Sequence, residues 1–521
     1  MATTCTASPP GERVMRNSWF ACLLLAVALP PAHAYVPADS FHVLEPVRDG
    51  SGHAVEQKAP DGRLVPVARP YHGKFESRLR VVLDGGAPAL LPVIDAQARR
   101  ASRHRVDCPV LGNGITVYLS DEDGGFARKD LYVETRPGHR VFCPDYFIDI
   151  TLDDASLEDG TFEEVLSHEY GHVLLRRLLG PIPPTPSRQA HSVLTVTDPV
   201  TAFDEGFGIQ MQPLAARLSA TPGFRARVEG RAEPSPADFW LSRRETWLRE
   251  TAVPHNDFVF ESAPPGNDGD AYARWLASNT SLPTDLCQLK SGNAMMASEG
   301  VAAAFLYRLL STGSDEKAVE HRYAQLVTVL ARIGQWPARA PLVTLVRRWG
   351  EAFPEDKSEV NRLFLDITYG ATASVAAHDQ AQRLSCLGAR GSLAMFVPAL
   401  KAYRDTIATL AARVTDGQTA IDGALGPPLW LADPAIRIAG QPWSNERKQP
   451  LVVDLNTASE PALSLLLGDR SLAARLIGAR QQGVFASLDD ASRRAALSPA
   501  QTALLQQLAS SWALLPHFVR R

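Results

Sequence analysis

The chain has 521 residues, of which 45% are apolar and 21% charged, and its formal net charge is −4. At about 100–200 residues per domain this length allows two to four domains, each with a core of useful size. Bulk disorder and collagen-like architecture are excluded, and the basic excess of a chain built mainly to grip nucleic acid is missing.

The first element is an apolar run, Trp19–Leu29. It is too short to span a bilayer core of about 30 Å, which needs roughly 20 helical residues. It fits a signal-peptide core instead. Arg13 and Arg16 precede it, Pro30 and Pro31 follow, and Ala32-His33-Ala34 offers small residues for cleavage before Tyr35. Met15 is an alternative start. Cys22 sits near the start of the run rather than its end, which argues against a lipid anchor. The expected location is therefore periplasmic or secreted, with no stable membrane insertion after cleavage. Export leaves Cys108, Cys143, Cys287 and Cys386. An even count in an oxidising compartment suggests two disulfides, and pairing within each region favours Cys108–Cys143 and Cys287–Cys386.

Residues 35–75 show little periodicity and read as an irregular lead-in, which with some β structure extends to 110. Strands are expected at Leu79–Leu83, Ile115–Leu119 and Tyr146–Leu152. A helix should start at Thr161, with Glu164 completing a capping box, and end at Gly180 before prolines 181, 183, 184 and 186. Residues 202–415 are mostly helical in pattern, with strong pieces at Ala297–Leu310, Ala318–Ile333, Pro341–Trp349 and Ser374–Val414. A proline-bearing linker over 423–450 separates them from a compact helical module, 451–521. The expected class is α+β: a catalytic domain over 111–422 with a small sheet, an active-site helix and a mainly helical remainder, then a small all-α domain.

The chemistry lies in His168-Glu169-Tyr170-Gly171-His172, an H-E-x-x-H pattern inside the helix that follows a strand. Residues at i and i+4 share a helix face, so both imidazoles can reach one ion. Neutral imidazole suits zinc, and a catalytic zinc site wants three protein ligands and one open position. Glu169 lies beside the metal, where a carboxylate can take a proton from water and pass it to a leaving amine. The best third ligand is Glu205 in Asp204-Glu205-Gly206-Phe207-Gly208. Phe203, Phe207 and Met211 give this segment an apolar helical stripe. Asp204 and Glu299 are weaker alternatives; Glu299 can instead support a ligand histidine from behind.

These two helices together resemble the gluzincin class of zinc metallopeptidases over roughly 115–215. The resemblance implies a zincin-like fold, Zn²⁺ as cofactor, a peptide or protein substrate, and Glu169 as the base. The interval from His172 to Glu205 is longer than in the thermolysin-like and aminopeptidase families, and no G-x-M-E-N motif is present. Gluzincins generally stabilise the oxyanion with Tyr, His or Arg from a later helix, which makes Tyr307, His321, Tyr323 and the loop residue His191 candidates.

Residues 453–488 resemble the helix-hairpin-helix module of bacterial competence DNA-uptake proteins, through Asp454, Asn456, Ala458, Gly468, Gly483, Phe485 and Ser487. In that family, hairpin amides meet a phosphate, so the resemblance implies Gly468, Arg470 and Arg475 as DNA-facing residues, with help from Arg480. Here Gly468-Asp469-Arg470 replaces the family's G-I-G, with an acid where phosphate would sit. Docking to a protein partner is expected rather than nucleic-acid binding. The leading reading is an exported zinc peptidase. The alternatives are an exported DNA-binding protein, or an envelope-assembly protein with an inactive peptidase-like body.

Overall fold

A computed structural model describes residues 40–521 except 105–106, 123, 184–192, 194–196, 229–251, 261–288, 312–315, 338–339, 390–392, 426–452, 457–459, 484, 511–513 and 516–521. The signal segment, His191, Cys287, Ala458 and most of the expected linker fall outside the described residues. Those described belong to a unit running from Ala38 to Arg521.

The strands are β1 (Phe41–Pro46), β2 (Glu56–Lys58), β3 (Leu64–Pro70), β4 (Ile115–Leu119), β5 (Gly125–Arg136) and β6 (His139–Ile150). They form one sheet in the order β1-β4-β6-β5-β3-β2, and a further β1–β3 pairing closes a ring of five strands. The long antiparallel β5–β6 hairpin makes this closure possible. Its register shifts between Lys129 and Leu131, where Asp130 takes a left-handed conformation (φ 72°). Such a bulge bends a strand and increases its twist. Beyond it, Tyr132 and Val133 pair with Val67 and Ala68 of β3. Leu44, Tyr118, Leu131, Val133 and Phe147 fill the resulting small core together with the Cys108–Cys143 disulfide. Cys386 is also disulfide-bonded.

Two sequence expectations change here. The lead-in is not irregular: β1 and β3 hydrogen-bond into the main sheet. Prolines at 46, 66 and 70 and partners far along the chain hide this pattern from local reading. Leu79–Leu83 is not a strand but the end of helix α1 (Glu76–Leu83). A strand would place Leu79, Val81 and Leu83 on one face. Instead Leu79 and Leu83 are buried while Val81 is 73% exposed, the signature of helical spacing.

Helices α2 (Gly86–Ala101), α3 (Asp154–Asp159), α4 (Thr161–Leu179), α5 (Pro199–Leu218) and α6 (Pro222–Val228) follow. Helix α4 starts at Thr161 as expected, but its N-cap is Gly160 at φ 81° and no side chain caps it. Thr161 N donates to Asp159 Oδ1 (2.9 Å), and Glu164 turns to Gln212 instead. A capping box does form one helix earlier, between Asp153 and Ser156.

The helical region continues with α7 (Gly292–Met296), α8 (Glu299–Leu310), α9 (Glu316–Ile333), α10 (Pro341–Ala352), α11 (Lys357–Ile367), α12 (Val375–Ala389) and α13 (Leu393–Thr415). The helical pattern expected over Ser374–Val414 is met by α12 and α13. The C-terminal module holds α14 (Glu460–Leu467), α15 (Arg470–Arg480), α16 (Leu488–Arg494) and α17 (Pro499–Ser510). It is not purely helical, because Val453–Asp454 (β7) and Leu514–Leu515 (β8) pair in parallel. The fold is mixed, mainly helical with a six-stranded sheet and the short β7–β8 pair, in line with the α+β expectation. Among the described residues no helix is long and apolar enough to cross a membrane.

Candidate metal centre

Helix α4 is wrapped by the sheet, α2 and α5, and nearly every residue on it is buried. A helix buried all round must find partners for its polar side chains, and those partners build the site. At its C-terminal end Arg177 meets Asp95 (3.2 Å) and Asp145 (3.2 Å), while Ser102 Oγ donates to the Arg177 carbonyl. These contacts tie α4 to α2 and β6.

At the centre, His168 and His172 turn their Nε2 atoms toward each other, 3.2 Å apart. Glu205 Oε2, from α5, completes a triangle at 3.7 Å from His168 Nε2 and 3.5 Å from His172 Nε2. These residues form a group able to hold a metal ion. A tetrahedral ion with bonds of about 2.0–2.2 Å has ligand–ligand edges of about 3.3–3.6 Å, and the triangle lies within about 0.1 Å of that range.

The other ring nitrogens explain the orientation. His168 Nδ1 lies 3.3 Å from Gln212 Oε1, and Gln212 Nε2 donates to Glu164 Oε1 at 2.6 Å. That donation fixes the amide so that its oxygen faces the ring. His172 Nδ1 lies 3.0 Å from Asp204 Oδ1, and Arg176 reaches the same carboxylate at 3.5 Å. With His168 Nδ1 against an amide oxygen and His172 Nδ1 in ion-pair range of a carboxylate, a neutral ring at either position carries its proton on Nδ1 and presents a lone pair at Nε2. Two lone pairs and a carboxylate oxygen then converge on one point, which a cation satisfies. Burial opposes charge on His172, but Asp204 and Glu205 outweigh it and hold the imidazole well above its ordinary pKa. The site therefore draws positive charge.

Asp204 thus lies behind His172, outside the group able to hold an ion. Glu299, at the start of α8, is buried but is not part of the ligand group. Gln212 and Glu164 were invisible as site residues in the sequence. The signal available was Gln212 lying seven residues after Glu205 on the same helix face.

Two glycines permit the approach. A Cβ on Gly208 would lie 2.8 Å from His168 Cε1, so α5 can cross the imidazole only with hydrogen there. A Cβ on Gly125 would lie 2.3 Å from Val165 Cγ1 and 3.0 Å from Glu169 Cγ, so β5 runs directly over the Glu169 side chain. Glu169 itself is buried beside the ligand group and is not part of it.

Of the oxyanion candidates, Tyr323 is buried with its hydroxyl bonded to Gln210 (2.8 Å). Tyr307 lies by Arg217, twelve residues along α5 from Glu205, and His321 is exposed. None of the three is placed at the ligands. In the C-terminal module, Arg470 pairs with Glu460 (3.5 Å), Arg475 donates to Gln501 Oε1 (2.9 Å), and Gly468 at φ 63° makes the hairpin turn.

A further buried acid lies one helical turn before the site. Burial pushes the Glu163 carboxyl up to about 7, against hydrogen bonds from Ser219 (2.7 Å) and Thr221 (3.2 Å). The folded protein therefore keeps a proton that the unfolded chain releases near pH 4.5. Stability must fall as pH rises from about 4.5 to about 7, by up to about 3 kcal/mol, and then level off. Glu163→Gln is expected to flatten this part of the profile. Urea unfolding at pH 5 and pH 8 checks it: an unchanged slope in the variant would mean that another group carries the dependence.

Comparison with known proteins gives no match to a family model, a curated protein or a solved structure.

Proposed function

We propose that this chain is an exported zinc-dependent peptidase of zincin-like fold, with His168, His172 and Glu205 as ligands and Glu169 as the base. The observation that carries the proposal is the convergence of two Nε2 atoms and Glu205 Oε2, with a side-chain oxygen within 3.3 Å of each Nδ1 and a separate carboxylate alongside. The resemblance of the two helices to the gluzincin class supports the same reading. Zinc, when bound, supplies a Lewis acid for the scissile carbonyl.

The rest of the work falls to the chain. Glu169 takes a proton from the attacking water and returns it to the departing amine. Asp204 and Gln212 keep the two imidazoles in the donor tautomer. Strand β5 offers a docking edge. From Gly125 to Lys129 it pairs with β6 on one side, and β3 joins the other side only at Tyr132 and Val133. Among the described residues no strand covers that outer edge near Glu169, so an extended peptide can pair there by main-chain hydrogen bonds. Export is supported by the signal-like N-terminus and by the disulfides.

The test is zinc content together with hydrolysis of an unfolded protein, followed by mass spectrometry of the products. One zinc per chain is expected, with cleavage lost on chelation and restored by added zinc. A protein that takes up no zinc under loading conditions, or takes it up and cleaves nothing in a broad peptide library, would overturn the proposal.

A further inference from the structure

The module that resembles a DNA-binding hairpin spends its polar groups on itself. Asp469 accepts from Leu472 N (3.0 Å), so the helix terminus that would face a phosphate carries its own carboxylate. Arg475 donates to Ala496 O (3.2 Å) and Gln501 Oε1 (2.9 Å), and Arg480 to Leu455 O (3.1 Å). Arg494 donates to Ala479 O (2.5 Å) and Gly483 O (2.7 Å). Asn456 and Phe485, both part of the family resemblance, hold each other: Phe485 N donates to Asn456 Oδ1 at 2.7 Å, and Asn456 Nδ2 donates to Phe485 O at 3.0 Å. Motif residues and arginines alike serve the module's own fold.

The module's apolar cluster reaches into the body. Ala294 and Ala297, both fully buried, belong to the same cluster as Leu455, Leu463, Leu476 and Phe485. Both lie at α7, a helix of only five residues. A helix that short has no stability of its own and depends on packing. What α7 holds in turn is the start of the ligand helix. Ala297 O accepts from Thr197 N (2.7 Å) and Thr197 Oγ1 (3.2 Å). The next residue, Asp198, caps α5 through Val200 N (2.9 Å) and Thr201 N (3.0 Å). Two turns further along α5 stand Asp204 and Glu205. Leu425, the last described residue before Val453, also lies beside Gly292 of α7.

We propose that the C-terminal module is an intramolecular clamp: it docks on α7 and, through Ala297 and Thr197, fixes the start of α5 and the placement of Glu205. Thr197 and Ala297 are positioning residues, not catalytic ones. The effect on zinc rests on the metal-centre reading; the docking does not.

The experiment uses the full chain with Ala294→Arg, and with Leu463→Arg as a second disruption from the module side. Hydrogen exchange is read at the amides of residues 197–201, and zinc affinity by competition with a chromophoric chelator. The expected result is at least tenfold faster exchange at 197–201 in either variant, together with at least tenfold weaker zinc binding. Arg470→Gly, which restores a hairpin glycine and removes no member of the shared apolar cluster, should change neither. A variant whose module is released, seen as faster exchange over 460–480, while 197–201 and zinc affinity stay as in wild type, would overturn the clamp. If wild type binds no zinc, the metal-centre reading fails by itself, and exchange at 197–201 still decides the clamp. Salt-dependent binding of a short DNA duplex by wild type, weakened by Arg475→Ala, would show the module to be a nucleic-acid reader and also overturn it.

Discussion

Glu169→Gln is expected to lower kcat by a factor of about 10²–10⁴, the usual worth of a positioned general base, with zinc content unchanged. That factor corresponds to about 3–5 kcal/mol of barrier. Glutamine keeps the size of the side chain under β5 but cannot hold the proton in transit. It also leaves the ligands alone, because the metal group consists of His168, His172 and Glu205. Asp149 is a rival carboxylate close enough to Glu169 to feel its charge. It is bound by Ser120 Oγ (2.5 Å) and Arg128 Nε (2.8 Å) and is therefore committed elsewhere. The check is kcat on one peptide beside zinc per chain for wild type and variant. Full zinc with wild-type turnover would move the base away from Glu169. Loss of zinc would mean that Glu169 supports the ligands instead.

The site was legible in the sequence where its geometry is local. His168 and His172 are one helical turn apart, and the i, i+4 rule alone brings them together. Glu205 was legible because a second amphipathic helix carries it. Sequence order could not supply the crossing of α4 and α5 that turns Asp204 toward His172 and Gln212 toward His168. That crossing depends on Gly208 meeting an imidazole forty residues away. The same holds for the fold. Ile115–Leu119 shows itself as a buried β-branched run, whereas β1 and β3 have meaning only through partners they meet by closing a ring. Leu79–Leu83 misleads because Val81 and Val82 favour a strand locally, while burial on α2 and α3 selects the helical face with Leu79 and Leu83. Within the C-terminal module, Asn456 and Phe485, two of the residues that carry the hairpin resemblance, hydrogen-bond each other. What the arginines do became visible only once their acceptors were placed.

The two acids at the start of the D-E-G-F-G segment should separate cleanly in metal binding. Glu205→Ala removes one of three ligand atoms, and a site left with two imidazoles is expected to lose its zinc at micromolar protein. Asp204→Asn keeps all three ligands but weakens the partner of His172 Nδ1 and leaves Arg176 without its carboxylate. Loss of such an outer partner typically costs 10–100-fold in metal affinity, so this variant should still reach one zinc per chain at saturation, with the binding curve displaced. Burial makes the difference sharp: the Asp204 side chain is only 3% exposed, and water cannot readily take its place against the ring. Titration with zinc against a competing chelator distinguishes the two. Equal loss in both variants would make Asp204 a ligand. Retention of tight zinc in Glu205→Ala would place the third ligand elsewhere and undo the assignment of α5 to the metal.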